Sequence, residues 1–189
     1  MLAKFRFWFL RTIRPILKSL GSIAGKYPGS LEMRHMNEAL RHLKPGAVIL
    51  TLKRGQLSNL LIPGHWSHAA IVISDNWVIE AVGKGVVKTR MKDFLLSKDE
   101  FLILHPTFAT DAEMLLAVLQ AQRLVGMPYD WEFEPNDQQW YCFELCWHAY
   151  NQAVPGNPFQ RKQVFEILTV QSMDFLDKRV WDRKYQAKA

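Results

Sequence analysis

Three residues in this chain carry the side chains of a nucleophilic relay: Cys142, His68 and Glu80. A thiol, an imidazole and a carboxylate can serve as nucleophile, general base and the group that holds and charges the base. Cys142 falls in Tyr141-Cys142-Phe143-Glu144-Leu145-Cys146, where Leu145, Ala149 and Tyr150 recur at helical spacing. It therefore opens a helix that runs to about Ala153 and stops at Pro155-Gly156. At that end of a helix the unpaired N–H groups and the dipole favour an anion and can donate to an oxyanion. Read alone, a lone thiol is more often a packed, inert one. Cys146, one turn on, is read as packing.

His68 begins the run His68-Ala69-Ala70-Ile71-Val72-Ile73, and Glu80 sits inside Trp77-Val78-Ile79-Glu80-Ala81-Val82. Both runs read as strands, joined through Ser74-Asp75-Asn76. A three-residue loop pairs Ile73 with Trp77 and Ala70 with Glu80, which makes His68 and Glu80 diagonal neighbours on one face. A two-residue loop puts Glu80 on the other face. A carboxylate between hydrophobic residues on a central strand needs a cationic or donor partner.

The elements that must position these groups follow from the same patterns. A helix is expected from about Leu31 to Leu43, a strand over Ala47–Leu52, and a loop over Gly55–Gly64 whose Leu57, Leu60, Leu61 and Ile62 border a cleft. Val86 to Thr89 resumes the sheet, Lys92 to Leu96 is a short helix, and Phe101 to His105 is another strand. Thr110 with Glu113 three residues on marks a helix start, and Gly126 its end near Val125. Pro128 to Gln139 is a loop, and the remainder is a short strand around Val164 to Leu168 followed by a basic tail. The class is α+β, a mainly antiparallel sheet with flanking helices.

Composition narrows the function classes. The 189 residues suit one domain, and 49% hydrophobic with 22% charged residues excludes wholesale disorder. The net charge of +6 favours anionic partners, but no basic run interleaved with aromatics appears, so no specific nucleic acid is expected. Two cysteines on one helix do not fit a disulfide. A zinc site on Cys142, Cys146 and His148 lacks a fourth ligand, and His148 lies round the helix from the thiols; neither metal nor organic cofactor is expected. In residues 1–26, Phe5, Phe9, Ile13, Ile16, Leu17 and Leu20 follow helical spacing while Arg11, Arg14 and Lys18 fall elsewhere. That basic amphipathic helix lies on an anionic membrane surface, docks on a partner or packs on its own domain. It is too short and charged to span a bilayer. Residues 1–30 are read as this segment with a linker, and 31–189 as the domain. A cytoplasmic or peripheral-membrane place is favoured; secretion and association with a virion stay open, as does the oligomeric state.

The order of these motifs resembles a family. His-Ala-Ala-Ile-Val-Ile at 68–73, Val-Ile-Glu-Ala at 78–81, Gly-Met-Pro-Tyr-Asp-Trp at 126–131 and Tyr-Cys-Phe-Glu-Leu at 141–145 resemble the YiiX/YebB-like group of permuted NlpC-type, papain-fold cysteine hydrolases. In that group the histidine comes first, then the acidic residue, then the cysteine. Lys44 to Leu50 resembles the approach to the strand that precedes the histidine, so the likeness covers about residues 44–155. It implies a permuted papain-like domain with Cys142 as nucleophile, His68 as base and Glu80 as third member. It also implies no cofactor, and either cleavage of a cell-wall peptide or acyl transfer on a lipid. Tyr141, Phe143, Trp66 and Tyr129, beside these motifs, are expected on the substrate side. Two departures stand out: Ala47 where an acidic residue is common, and Phe143 where a small residue usually follows the nucleophile. Phe143 either narrows the leaving-group side or turns inward. The rival class is a non-catalytic interaction protein on the same fold, acting through its N-terminal helix.

Overall fold

Runs of apolar and β-branched residues with turns between them form most of the sheet. The computed structural model describes residues 29–56, 62, 64–131, 138–164 and 167–189. The segment expected over residues 1–26, and Leu57, Leu60 and Leu61, lie outside them. In chain order the elements are α1 (Met33–Leu40), β1 (Val48–Leu52), β2 (His68–Ser74), β3 (Trp77–Val82), β4 (Gly85–Arg90), α2 (Met91–Leu96), β5 (Glu100–Pro106), α3 (Asp111–Arg123), α4 (Cys142–Ala153), β6 (Lys162–Val164), β7 (Ile167–Thr169), a 3₁₀ turn (Ser172–Leu176) and β8 (Trp181–Lys188). The large sheet runs β4-β3-β2-β1-β5-β8 with antiparallel neighbours throughout, and β6 and β7 form a separate ribbon. The fold is the expected α+β arrangement of an antiparallel sheet with flanking helices.

Both faces of the central strands are covered, which is why β1 and β2 read as near-continuous apolar runs rather than as alternating ones. On one face Val48, Leu50, Ala69, Ile71 and Ile79 pack with Met114, Ala117 and Ala121 of α3 and Leu145, Cys146 and Ala149 of α4. On the other, Ile49, Ala70, Val72 and Val78 pack with Leu31, Ala39, Met91, Phe94 and Leu95. Thr110 caps α3 as expected, its side chain accepting from the Glu113 N–H. Gly46, at φ 87°, lies where a Cβ would stand 2.6 Å from the Met114 Cβ. A glycine there lets α3 close on the start of β1. Tyr150 of α4 donates its hydroxyl to the Gly46 carbonyl at the same corner.

Two expectations are corrected. The tail is a strand: β8 pairs with β5 along Glu100–Pro106 and completes one edge of the sheet. A register shift between Ile103 and Leu104 breaks its alternation, so Trp181 joins the α3–α4 side while Tyr185 and Ala187 join the other. With Asp182, Arg183 and Lys184 between them, the residues read as a polar tail. The β2–β3 turn holds two residues, with Ser74 rather than Ile73 opposite Trp77. A bulge between Val72 and Ser74 takes up the difference, so Ala70 still faces Glu80.

Candidate active site

That bulge decides where the acid goes. With Ala70 opposite Glu80, alternation sets His68, Ala70 and Glu80 on one face, and the histidine and glutamate meet diagonally. His68 Nε2 lies 2.7 Å from Glu80 Oε2. The other carboxylate oxygen, Oε1, accepts from Thr89 Oγ1 at 2.6 Å. Thr89 stands on β4 two residues beyond Val87, the direct partner of Glu80, so it is a second diagonal neighbour on the opposite side. Glu80 is buried but satisfied on both oxygens. Burial works against its charge, yet the His68 hydrogen bond and charge, Lys98 and the Thr89 hydrogen bond hold its pKa down at about 2.

With Nε2 committed to Glu80, Nδ1 is the ring nitrogen left for the thiol. Burial opposes an imidazolium here. The charge and hydrogen bond of Cys142 and the hydrogen bond to Glu80 outweigh it, and Lys98 only partly offsets them, so the His68 pKa is raised to about 9. The ring rests 6.1 Å from that of Phe94 on the side of the sheet that carries α2. The arrangement is a thiol, an imidazole and a carboxylate in series.

Cys142 is the first residue of α4, and its N-cap, Tyr141, makes no side-chain cap bond to the helix. The first-turn amides are thereby left without a side-chain acceptor from the cap. The Tyr141 side chain is used elsewhere. Its hydroxyl lies 2.7 Å from Thr169 Oγ1 and accepts from the Val170 N–H at 2.8 Å, which ties the helix start to the end of β7. Glu144, in the same first turn, is buried and paired with Arg161 at 2.8 Å, and that guanidinium lies over Trp147 at 4.0 Å.

The four residues expected on the substrate side divide. Trp66, Tyr141 and Phe143 are nearly buried, at 3%, 4% and 3% exposure, and belong to the core cluster of α3 and α4. Phe143 turns inward against Phe175, with ring centres 5.9 Å apart. Tyr129 is half-buried and lies within electrostatic reach of the thiol. Burial, followed by the nearby Cys142, Asp130 and Tyr141, pushes its hydroxyl pKa well up. Its loop is pinned to β4, where Val86 donates to the Met127 carbonyl at 2.8 Å and Gly126 donates to the Val86 carbonyl at 2.9 Å. A Cβ on Gly85 would fall 2.5 Å from the Met127 oxygen, so this glycine permits the docking.

Sequence reasoning passed over Thr89 and Lys98. The alternation of Val87, Lys88, Thr89 and Arg90 holds the signal for Thr89, readable once Gly83-Lys84 is taken as the tight turn it is. Lys98 follows α2 in a stretch with no motif, and nothing in the sequence marks it.

Residues 42–184 match the permuted papain-like amidases of the YaeF/YiiX, C92 family. The chain belongs to that family. Membership places it, at family level, among cysteine amidases. It is 28% identical to the YiiX protein of Escherichia coli strain K12 over 118 residues, and the match spans 58% of each chain. The crystal structure of YiiX from Escherichia coli O157:H7 superposes with a TM-score of 0.67 at 18% identity, covering 77% of this chain and 98% of that one. That likeness is one of fold. The O157:H7 protein is described as a metalloprotein. Among the described residues of this chain, no group of three or more His, Cys, Asp or Glu side chains is placed to hold a metal ion.

Proposed function

We propose that this family member is a cysteine amidase working through Cys142, His68 and Glu80, with a cell-wall peptide as substrate. The observation that carries the reading is the pairing of His68 with Glu80 through one nitrogen, which leaves the other for a thiol at a helix start. The Cys142 thiolate attacks the amide carbonyl and forms a C–S bond, and its own N–H donates to the oxyanion. The His68 imidazolium then passes its proton to the leaving amine as the C–N bond breaks. A water molecule enters, His68 takes its proton, and the acyl group leaves as a carboxylic acid with the thiolate restored. Glu80 keeps the ring oriented and stabilises its positive form, and Thr89 fixes Glu80.

In the same reading residues 1–26 rest on an anionic membrane surface, supported by their basic amphipathic pattern. The test is hydrolysis of purified muropeptides set beside acylated lipids, with Cys142→Ala and His68→Ala as controls. Release of a new amine terminus that both substitutions abolish supports the reading. Turnover of the lipids alone replaces it with an acyltransferase or esterase. A Cys142 thiol that alkylates no faster than a free thiol at neutral pH, whatever stands at position 68, leaves the non-catalytic alternative.

A further inference from the structure

One ammonium beside the site has no counter-ion at ion-pair distance among the described residues. Lys98 follows α2, and its Nζ lies 5.2 Å from the centre of the Phe94 ring, the same ring that neighbours His68. It is within electrostatic reach of Glu80 and Cys142. The backbone that carries it is fixed. Its N–H donates to the Leu95 carbonyl at 3.0 Å, its carbonyl accepts from Leu31, and the next residue, Asp99, donates to the Leu52 carbonyl at 2.9 Å.

The carboxylates nearby are already engaged. Asp99 accepts from Ser30 and from the Arg54 N–H, and both oxygens of Glu80 are taken by His68 and Thr89. Among the described residues the Lys98 ammonium meets no hydrogen-bond acceptor and no carboxylate at ion-pair distance; its close partner is the face of Phe94. An ammonium has three protons to donate, and part-burying it without an acceptor costs free energy. Burial accordingly lowers the Lys98 pKa, with Lys53 adding to the effect and Glu80 and Cys142 opposing it. A structural cation would have been given a counter-ion. One that waits for an anion from outside would not.

We propose that Lys98 anchors a carboxylate that the substrate carries next to its scissile amide, so that this residue sets specificity for acidic or carboxyl-terminal amides. The inference deepens the amidase reading above and rests on it.

Two alkylating reagents of nearly the same shape test it. Iodoacetate and iodoacetamide both lose iodide to a thiolate, and only the first carries a carboxylate. In the wild-type protein the rate ratio of iodoacetate to iodoacetamide at Cys142 should exceed that of a free thiol. Lys98→Met should lower the ratio about tenfold, the worth of one charge-assisted hydrogen bond, and Lys98→Arg should keep most of it. A ratio that Lys98→Met leaves unchanged overturns the proposal.

A binding arm separates this idea from the hydrolase reading. N-acetylglycine and N-acetylglycinamide are titrated into the Cys142→Ala protein, with the backbone amides of residues 94–99 followed by NMR. The acid should shift them at lower concentration than the amide, and Lys98→Met in that background should erase the difference. If Cys142 proves inert to both reagents while this preference holds, the hydrolase reading falls and the anion anchor stands. No preference for the acid in this arm sinks the anchor, whatever Cys142 does.

Discussion

Ala70 faces Glu80 across the β2–β3 hairpin, and that one pairing brings the acid to the histidine. It depends on a bulge between Val72 and Ser74, since the turn itself is one residue shorter than the pairing would otherwise need. Side chains alternate with a period of two, so an unbulged hairpin with the same turn would send Glu80 into the cluster beneath α3 and α4.

The first prediction concerns the thiol and the base. Cys142 is the largest of the influences that raise the His68 pKa. In Cys142→Ala the ring should titrate well below about 9, read from its proton shifts by NMR. An unchanged titration would falsify the contact between them.

Stability should follow the same pair. His68 sits at about 9 against an ordinary 6.5, so its contribution is complete below about pH 6.5 and drains away as pH rises through 9. Glu80 sits at about 2 against an ordinary 4.5, so its contribution is complete above about pH 4.5 and is lost as pH falls through 2. The thermal midpoint should be flat between about pH 4.5 and 6.5 and decline on both sides. In Cys142→Ala the alkaline decline should shrink, and a decline of equal size would show that other groups cause it.

Thr89 offers a gentler probe. Thr89→Val keeps the shape and removes one hydrogen bond to a charged oxygen, which should cost about 1.5–3 kcal/mol in urea unfolding. Glu80 should titrate higher than about 2, and amide hydrolysis should slow severalfold. Identical hydrolysis in both proteins would mean that Glu80 needs no such support.

Tyr141→Phe separates an anchoring role from a substrate role. The hydroxyl holds Thr169 and Val170, so its loss should lower the unfolding free energy by about 1–3 kcal/mol. The iodoacetamide rate at Cys142 should stay within about twofold. A large rate loss with unchanged stability would return Tyr141 to the substrate side.

Much of this site was legible because local pattern and chemistry agreed. The helix at Cys142, the strands at His68 and Glu80 and the cap at Thr110 each rest on a few neighbouring residues, and short-range rules suffice for them. What was missed depended on distant partners. β8 became a strand only because β5 offers it an edge, and its run of Asp182, Arg183 and Lys184 hides the alternation that a bulge has already broken. The loop length at 74–76 could not be told from a shorter turn with a compensating bulge, since both give the same pairing at Glu80. Trp66, Tyr141 and Phe143 adjoin the motifs in sequence, yet their burial in the core cluster depends on partners such as Thr169, Val170 and Phe175 that lie far along the chain. Lys98 lies only four residues beyond Phe94, but only the folded chain sets it within electrostatic reach of Glu80 and Cys142.

Cys142 packs with the helices on one face of the sheet, whereas His68 and Glu80 stand on the face that carries α2. The proposed nucleophile and base are therefore shared between two layers, and the pair gauges how those layers are seated. A slip of about an ångström between them stretches the thiol–imidazole bond beyond useful length while every strand keeps its neighbour. Under mild heat or denaturant, chemistry should fade first, with the circular dichroism of an intact sheet still in place.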